Sequence, residues 1–245
     1  MERTENGIIF GRNAVFELFD SDISVNSVYI TENSPIKSKA LALAKQKRCS
    51  LKEVKAEKLN LLSGGGNHQG IVAAVSSVEY KSLDDLLSAA KEKGEKPFLI
   101  LLDSVEDPHN LGAVIRTAEC AGAHGVIIEK RHSAQVSETV VKTSAGAALH
   151  LPVCRVANAA STLRELKEKG VWVVGADMNG EDYRKIDYDM PLCLVIGSEG
   201  NGIKRIIREE CDFIASIPQF GKINSLNASV AAALLIYEAV RVRKN

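Results

Sequence analysis

Leu192-Cys-Leu-Val-Ile-Gly-Ser-Glu-Gly-Asn-Gly-Ile203 decides how this chain is read, and Ile217-Pro-Gln-Phe-Gly-Lys-Ile-Asn-Ser-Leu-Asn-Ala-Ser-Val230 repeats its grammar. In each, a short apolar strand stops abruptly at small and polar residues, and a helix-like segment follows. In open α/β sheets, ligands bind in the crevice beyond the carboxyl ends of the strands, where such loops gather. Gly197, Gly200 and Gly202 allow close backbone approach and positive φ in the first loop. Ser225, Asn227 and Ser229 stand at the entrance of Ala228–Val240, where side-chain oxygens can meet free helix N–H groups. That helix is apolar almost all round, which predicts a buried element. Two ordinary strand-to-helix turns with good N-caps would read the same way, so these loops alone leave site and plain turn both open.

Outward from this stretch, the chain after Pro97 alternates strand and helix. Strands are predicted at Phe98–Leu102, Gly125–Glu129, Val153–Val156, Val171–Gly175, Leu192–Ile196 and Phe213–Ile217. Helices are predicted at Leu111–Ala121, Glu138–Leu149, Ala159–Lys169, Ile203–Glu210 and Ala228–Arg243. Short Val/Ile/Leu-rich strands with intervening helices predict an α/β domain with a mainly parallel sheet covered on both faces. The first loop, Asp103-Ser-Val-Glu-Asp-Pro-His-Asn-Leu-Gly-Ala-Val-Ile-Arg116, follows a strand and opens a helix. Asn110 is placed to cap that helix and Gly112 to let it pack tightly. Arg116 lies between apolar Ile115 and Ala118, where a charge costs free energy unless something anionic meets it; Glu119 or Glu106 would serve structurally. Neither GxGxxG after the first strand nor GxxxxGK[ST] occurs, which argues against a standard dinucleotide or ATP site.

The first 76 residues read as a separate small α/β domain. Gly11–Asp20, Ser38–Arg48 and Ala56–Leu62 have helical patterns, while Ser27–Thr31, Leu51–Val54 and Gly70–Ser76 read as strands. Residues 77–96 are assigned to a linker that carries a helix, Ser82–Lys93, with a Ser82/Asp85 capping box. Residues 97–245 form the second domain. Lys37 to Lys58 holds eight Lys/Arg against two Glu, a local basic patch or simply a solvated face. Arg12 and Asn13 flank a glycine-bracketed turn, and Asn67, His68 and Gln69 sit in a glycine-rich loop before a strand. Polar side chains on loops held by rigid strands suit contact with phosphates or base edges.

Composition narrows the partners. Lys+Arg and Asp+Glu balance at 31 each, so any nucleic-acid surface must be local. The five cysteines are scattered without CxxC or Cys/His spacing, which predicts buried free thiols in a reducing compartment and no metal site. No apolar signal region or long apolar run is present, so a soluble, cytoplasmic protein is expected.

Asn110-Leu-Gly112-Ala-Val-Ile-Arg116, Ile196-Gly-Ser-Glu-Gly200 and the stretch from Ile217 to Ser229 resemble, in order, the three motifs of the SpoU (TrmH) family. These are RNA ribose 2′-O-methyltransferases of the SPOUT superfamily. The resemblance covers about the last 150 residues. Gly11-Arg-Asn-Ala-Val15 and Asn67-His-Gln-Gly-Ile-Val-Ala73 are similar to the substrate-binding domain of the RlmB type, the guanosine-specific 23S rRNA members, a domain like ribosomal protein L30e. Ala228 departs from the Val that many relatives carry, a change of bulk in the helix's first turn. The resemblance implies a deep C-terminal trefoil knot, although true knots are rare, and a homodimer formed through the knot region with the two sites near the interface. It implies S-adenosyl-L-methionine as cofactor, held by Gly197, Gly200, Ile217, Ser225, Leu226 and Asn227. It further implies catalytic roles for Asn110, Arg116, Glu199, Ser225 and Asn227, and RNA binding by Arg12, Asn13, Lys45, Lys47, Arg48, Asn67, His68 and Gln69.

Methylating a ribose hydroxyl demands alignment of oxygen, methyl and sulfur and stabilisation of developing oxyanion charge. Arg116, Asn110, Ser225 and Asn227 are suitable donors, and Glu199 can orient Arg116 or anchor its helix. A side chain with pKa above about 12 is a poor base, so Arg116 reads as an electrostatic and phosphate-positioning group; the proton acceptor stays open. Two alternatives stand beside this reading. One is a SpoU enzyme acting on tRNA or another rRNA site. The other is a non-catalytic RNA-binding dimer on the same fold, against which the joint presence of the five polar residues argues.

Overall fold

The computed structural model describes residues 7–21, 23–198, 200, 202–222 and 225–244. They divide into two compact units, one running to Glu79 and including Gln135–Glu138, the other taking Tyr80–Ala134 and everything from Thr139 on.

In the first unit, β1 (Ile8–Phe10), β2 (Val25–Thr31), β3 (Ser50–Val54) and β4 (Ile71–Val75) form a sheet in the order β1-β4-β2-β3. The β2–β3 pair is parallel, and the pairs made by β4 are antiparallel. Alternation along the strands supplies two apolar faces. Ile9, Val28, Ile30, Ile71 and Ala73 meet Val15 of α1 (Arg12–Phe16), Leu18 of the 3₁₀ turn that follows it, and Ala40 and Leu43 of α2 (Lys37–Gln46). On the other face Ile8 and Val72 meet Leu59 of α3 (Ala56–Leu62).

The second unit opens with α4 (Leu83–Glu92), inside the stretch read as a linker. Its capping box is formed: Ser82 accepts from the Asp85 N–H, and the Asp85 carboxylate accepts from the Ser82 N–H. Leu83 and Leu86 are buried in the unit's core, which makes this helix part of the fold rather than a tether.

Six parallel strands follow in the order β10-β8-β9-β5-β6-β7. They are β5 (Phe98–Leu102), β6 (Gly125–Glu129), β7 (Val153–Val156), β8 (Trp172–Asp182), β9 (Leu192–Ile196) and β10 (Phe213–Ser216). Leu99, Leu101, Val173, Cys193 and Val195 pack under α4, α7 (Ala159–Glu168) and α8 (Arg205–Arg208). On the opposite side α5 (Pro108–Cys120) packs on α9 (Ala228–Arg243), and α9 on β9. The predicted helix over 138–149 is broken into α6 (Glu138–Thr143) and a 3₁₀ turn, because Ala145 and Gly146 both adopt left-handed φ.

Three sequence expectations need correction. The helix α9 is not buried all round: Ala232, Leu235, Ile236 and Ala239 are, but Val230, Leu234 and Tyr237 form an exposed apolar stripe. Asp107, not Asn110, caps α5, accepting from the His109 N–H at 2.8 Å, with Pro108 in the first turn. Among the cysteines, Cys154 and Cys193 are buried, Cys49 and Cys211 half-buried, and Cys120 is exposed at the end of α5. No helix among the described residues is long and apolar enough to cross a membrane.

Candidate active site

The loops after β5, β8, β9 and β10 all leave the sheet at its carboxyl edge, and there two cavities share a wall. The first, of about 400 Å³, is lined by Ile196, Gly197, Ser198, Gly200, Ile217, Gln219, Ser225, Leu226 and Ala228, with Ala176–Asn179 opposite. The second, of about 650 Å³, is lined by Ser104–Asp107, Asn110, His132 and Lys204, and meets the first at Ser198, Gly200 and Ala228.

Backbone sterics shape the first cavity. Ser198 and Gly202 exchange N–H···O=C bonds of 3.2 and 2.9 Å, folding the loop back on Gly197. A β-carbon on Gly197 would lie 2.0 Å from the Gly202 carbonyl carbon, so only glycine fits. The facing wall comes from the extension of β8 beyond Gly175. There Asp177 pairs with Arg208 at 2.7 Å and accepts from the Asn179 N–H at 2.9 Å. Ending that strand at Gly175 missed this wall; the polar Asp177 and Asn179 gave no strand signal.

The second cavity rests on a buried carboxylate. Asp103, fully buried at the end of β5, accepts from the Lys204 N–H at 2.7 Å and pairs with its ammonium at 2.9 Å. The ammonium also reaches Glu129 at 3.3 Å. Burial pulls the Lys204 pKa down, but the two carboxylates outweigh it and hold it above its ordinary value. Ser104 and His132, both on the cavity wall, take left-handed φ of 59° and 55°, and the His132 Nδ1 stands 4.0 Å from the Glu106 carboxylate. Sequence reading missed Asp103, Lys204 and His132, because the contacts of Lys204 with Asp103 and Glu129 join residues far apart in the chain.

The predicted site residues separate into groups. Asn110 and Asn227, 117 positions apart, are brought together: the Asn227 Nδ2 donates to the Asn110 Oδ1 at 3.0 Å. The Asn227 Oδ1 also accepts from Ser229 and Val230 N–H groups at the start of α9, so one amide clamps α5 to the α9 N-terminus. Gly197, Gly200, Ile217, Ser225 and Leu226 line the first cavity, whereas Asn227 holds its edge without lining it. Gly112 accepts its tight contact, since a β-carbon there would meet the Thr143 Oγ1 at 1.9 Å.

Arg116 departs from expectation. It is exposed on α5, lines neither cavity and makes no ion pair among the described residues, so no desolvation demands a partner within this unit. Glu199 lies outside the described residues.

In the first unit, pairing of β1 with β4 joins the two polar loops. The Arg12 N–H donates to the Gln69 Oε1 at 3.0 Å and its Nε to the Gln69 carbonyl at 3.2 Å. His68 accepts the Gly70 N–H on Nδ1, which leaves Nε2–H to donate to the Asn60 Oδ1 at 3.0 Å. Asn13 and Asn67 are exposed beside them. The basic run is partly spent locally: Lys37 pairs with Glu53 at 2.6 Å, Lys39 stacks on Phe16, Lys52 lies over Tyr29, and the Lys47 ammonium donates to the Ser21 carbonyl. Lys45 and Arg48 remain exposed, Arg48 with a left-handed φ of 50°.

Known proteins match this arrangement over its whole length. The family model described as SpoU rRNA methylase matches residues 97–237, and that described as RNA 2′-O ribose methyltransferase substrate binding matches residues 8–81. YacO of Bacillus subtilis (strain 168), assigned to the TrmH family of tRNA/rRNA methyltransferases, is 48% identical over 243 residues, covering 98% of this chain and 97% of the relative. The SpoU methyltransferase AviRb of Streptomyces viridochromogenes, solved with AdoMet, superposes with a TM-score of 0.63 at 27% identity, over 98% of this chain and 91% of its own. An AdoMet-bound rRNA methyltransferase of Sinorhizobium meliloti gives 0.59 at 27% identity, over 96% and 87%.

Proposed function

Because the chain belongs to the SpoU (TrmH) family of RNA methyltransferases, we propose that it transfers a methyl group from S-adenosylmethionine to a ribose 2′-hydroxyl, in a guanosine of 23S rRNA. One observation carries the reading: residues from three separate segments converge on the two cavities, tied by the Asn227–Asn110 bond.

The first cavity fits the cofactor. Its volume lies within the roughly 300–1,000 Å³ of small-molecule sites, and its walls combine apolar Ile196, Ile217 and Leu226 with polar Asp177, Asn179, Gln219 and Ser225. Ile217 and Leu226 would cover the adenine, and the backbone around Gly197, Gly200 and Ser225 would meet its polar edges. When bound, S-adenosylmethionine supplies an electrophilic methyl on a sulfonium. The second cavity, sharing Ser198 and Gly200, would admit the acceptor ribose. Asn110, held by Asn227, and Ser225 would orient the hydroxyl and offer donors to the developing oxyanion. Glu199 is proposed to orient Arg116 or anchor its helix.

Arg116 makes no ion pair among the described residues. The apolar stripe Val230, Leu234 and Tyr237 on α9, which packs on the same α5, supports a homodimer through this helix pair. Such a dimer would bring Arg116 to the interface, near which the two sites lie, as a phosphate clamp and electrostatic stabiliser. The proposed trefoil knot would make α9 a threaded element. Arg12, Asn13, Lys45, Lys47, Arg48, Asn67, His68 and Gln69 are proposed to hold RNA from the first unit, chiefly through phosphates. Residues 1–76 and 97–245 are proposed as the substrate-binding and catalytic domains of a cytoplasmic enzyme.

Mass spectrometry of rRNA and tRNA from a deletion strain tests this. Loss of one ribose methyl in 23S rRNA is expected. A missing tRNA methyl would move the substrate, and intact methylation of both would remove the reading.

A further inference from the structure

Phe220 is 96% exposed, more than any other large apolar side chain among the described residues. It sits on the segment that leaves β10 toward α9, and residues on both sides of it, Ile217, Gln219, Ser225 and Leu226, line the first cavity. The neighbouring Gln219 is turned inward on the chain, its amide donating to the Ile217 carbonyl at 3.1 Å. Phe220, between these lining residues in the chain, faces solvent. Lys222, also exposed, follows two residues later.

We propose that Phe220 is a stacking platform for an RNA base, holding the acceptor nucleotide, or its immediate neighbour, out of its own stack beside the cofactor cavity. This rests on the methyltransferase reading of the site. A full benzyl group in water is unfavourable, and its position says what relieves it. To present a ribose hydroxyl at the floor of a cavity, an RNA must splay out a nucleotide, and the lost base stacking is recovered on an aromatic face. Stacking tolerates any base, since every base has a π-face, so Phe220 contributes affinity and register rather than sequence choice. Lys222 provides the accompanying phosphate contact. A second copy of the chain is the other conceivable cover for this ring. The apolar stripe on α9 already offers a continuous face for that purpose, whereas Phe220 is flanked in the chain by Gln219, Gly221 and Lys222.

The test uses the full chain and two probes, an unmodified 23S rRNA transcript and a pool of unmodified tRNA transcripts. Affinity is followed on whichever the wild type binds more tightly. Phe220→Ala should weaken binding about 5- to 150-fold, the range for one lost base–aromatic stack. Phe220→Trp and Phe220→Tyr should restore it, and Phe220→Leu, equally apolar, should not. The salt dependence should stay unchanged for Phe220→Ala, because stacking releases no counterions, and should flatten for Lys222→Gln. Chemical probing of the bound transcript should show one unstacked nucleotide with the wild type and none with Phe220→Ala. Unchanged affinity in the alanine variant, or rescue by leucine, overturns the proposal. So does a loss confined to dimer mass in light scattering with RNA affinity intact. Failure of the wild type to bind either RNA overturns the functional reading itself, a different result from failure of the variants alone.

Discussion

The two ends of the six-stranded sheet are built to opposite specifications. At the carboxyl end, left-handed Ser104 and His132, a folded-back loop on Gly197 and an amide clamp surround open space. At the amino end, polar groups bond one another around a smaller recess of about 250 Å³. The Phe98 N–H donates to the His124 Nδ1 at 3.1 Å, the His124 N–H donates back to the Phe98 carbonyl, and the His124 Nε2 reaches Glu95 at 3.1 Å. Arg243, in the last turn of α9, donates to the Met190 carbonyl at 2.6 Å and to the Lys96 carbonyl, and lies over the Phe98 ring. The same helix therefore starts in the site and ends in a lock. The bonds at one end help the fold carry the left-handed residues and larger cavities at the other.

The largest effect is expected at Arg116. Since it is exposed and its side chain bonds to no described residue, Arg116→Ala should leave stability and cofactor affinity unchanged. Single-turnover methyl transfer should slow roughly 10²–10³-fold, the range for one transition-state donor. Arg116→Lys should stay slow at every pH; a lysine variant whose rate climbs between about pH 8 and 10 would make Arg116 a base instead.

Next in size is Gly197→Ala. Its new β-carbon meets backbone rather than a yielding side chain. Relieving that clash must shift the loop, so cofactor affinity by calorimetry should fall, and stability should drop by about 1–3 kcal/mol, the cost of overpacking.

Arg243→Ala should lower stability alone. Stripping a charged donor from the Met190 and Lys96 carbonyls should cost about 1.5–3 kcal/mol of stability by denaturant titration. Cofactor affinity should stay within about twofold. Equal losses in both measurements would mean that α9 transmits strain between the ends.

The smallest effect concerns pH. Burial, then Lys93, holds the His124 pKa below its ordinary 6.5, with Glu95 opposing. The unfolded chain therefore takes up a proton at His124 before the folded one does, and stability should decline as pH falls below about 6.5. His124→Gln should lack that decline in thermal midpoints between pH 7.5 and 5.

Most of this architecture was legible in the sequence because parallel strands are continuous apolar runs, and β5, β6, β7 and β9 were delimited by them to the residue. Gly197 was legible as a small residue at a strand end, while Ile217 and Leu226, which line the first cavity with it, were singled out by the family resemblance and not by local pattern. What failed had physical causes. An apolar helix such as α9 says that something covers it, not that this chain does. Asn110 and Asp107 are both good caps, and only geometry shows that Asn110 is needed elsewhere, on Asn227. Contacts such as Asp103 with Lys204 join residues 101 positions apart and leave no local pattern.

Trp172 is the chain's single tryptophan, half exposed on β8, with its ring centroid 5.8 Å from that of Phe213 on β10. Fluorescence excited selectively in the indole band thus originates in the second unit alone. Compared with circular dichroism, which sees helices in both units, it distinguishes one cooperative transition from two. The protein carries its own optical label for asking whether its halves melt together.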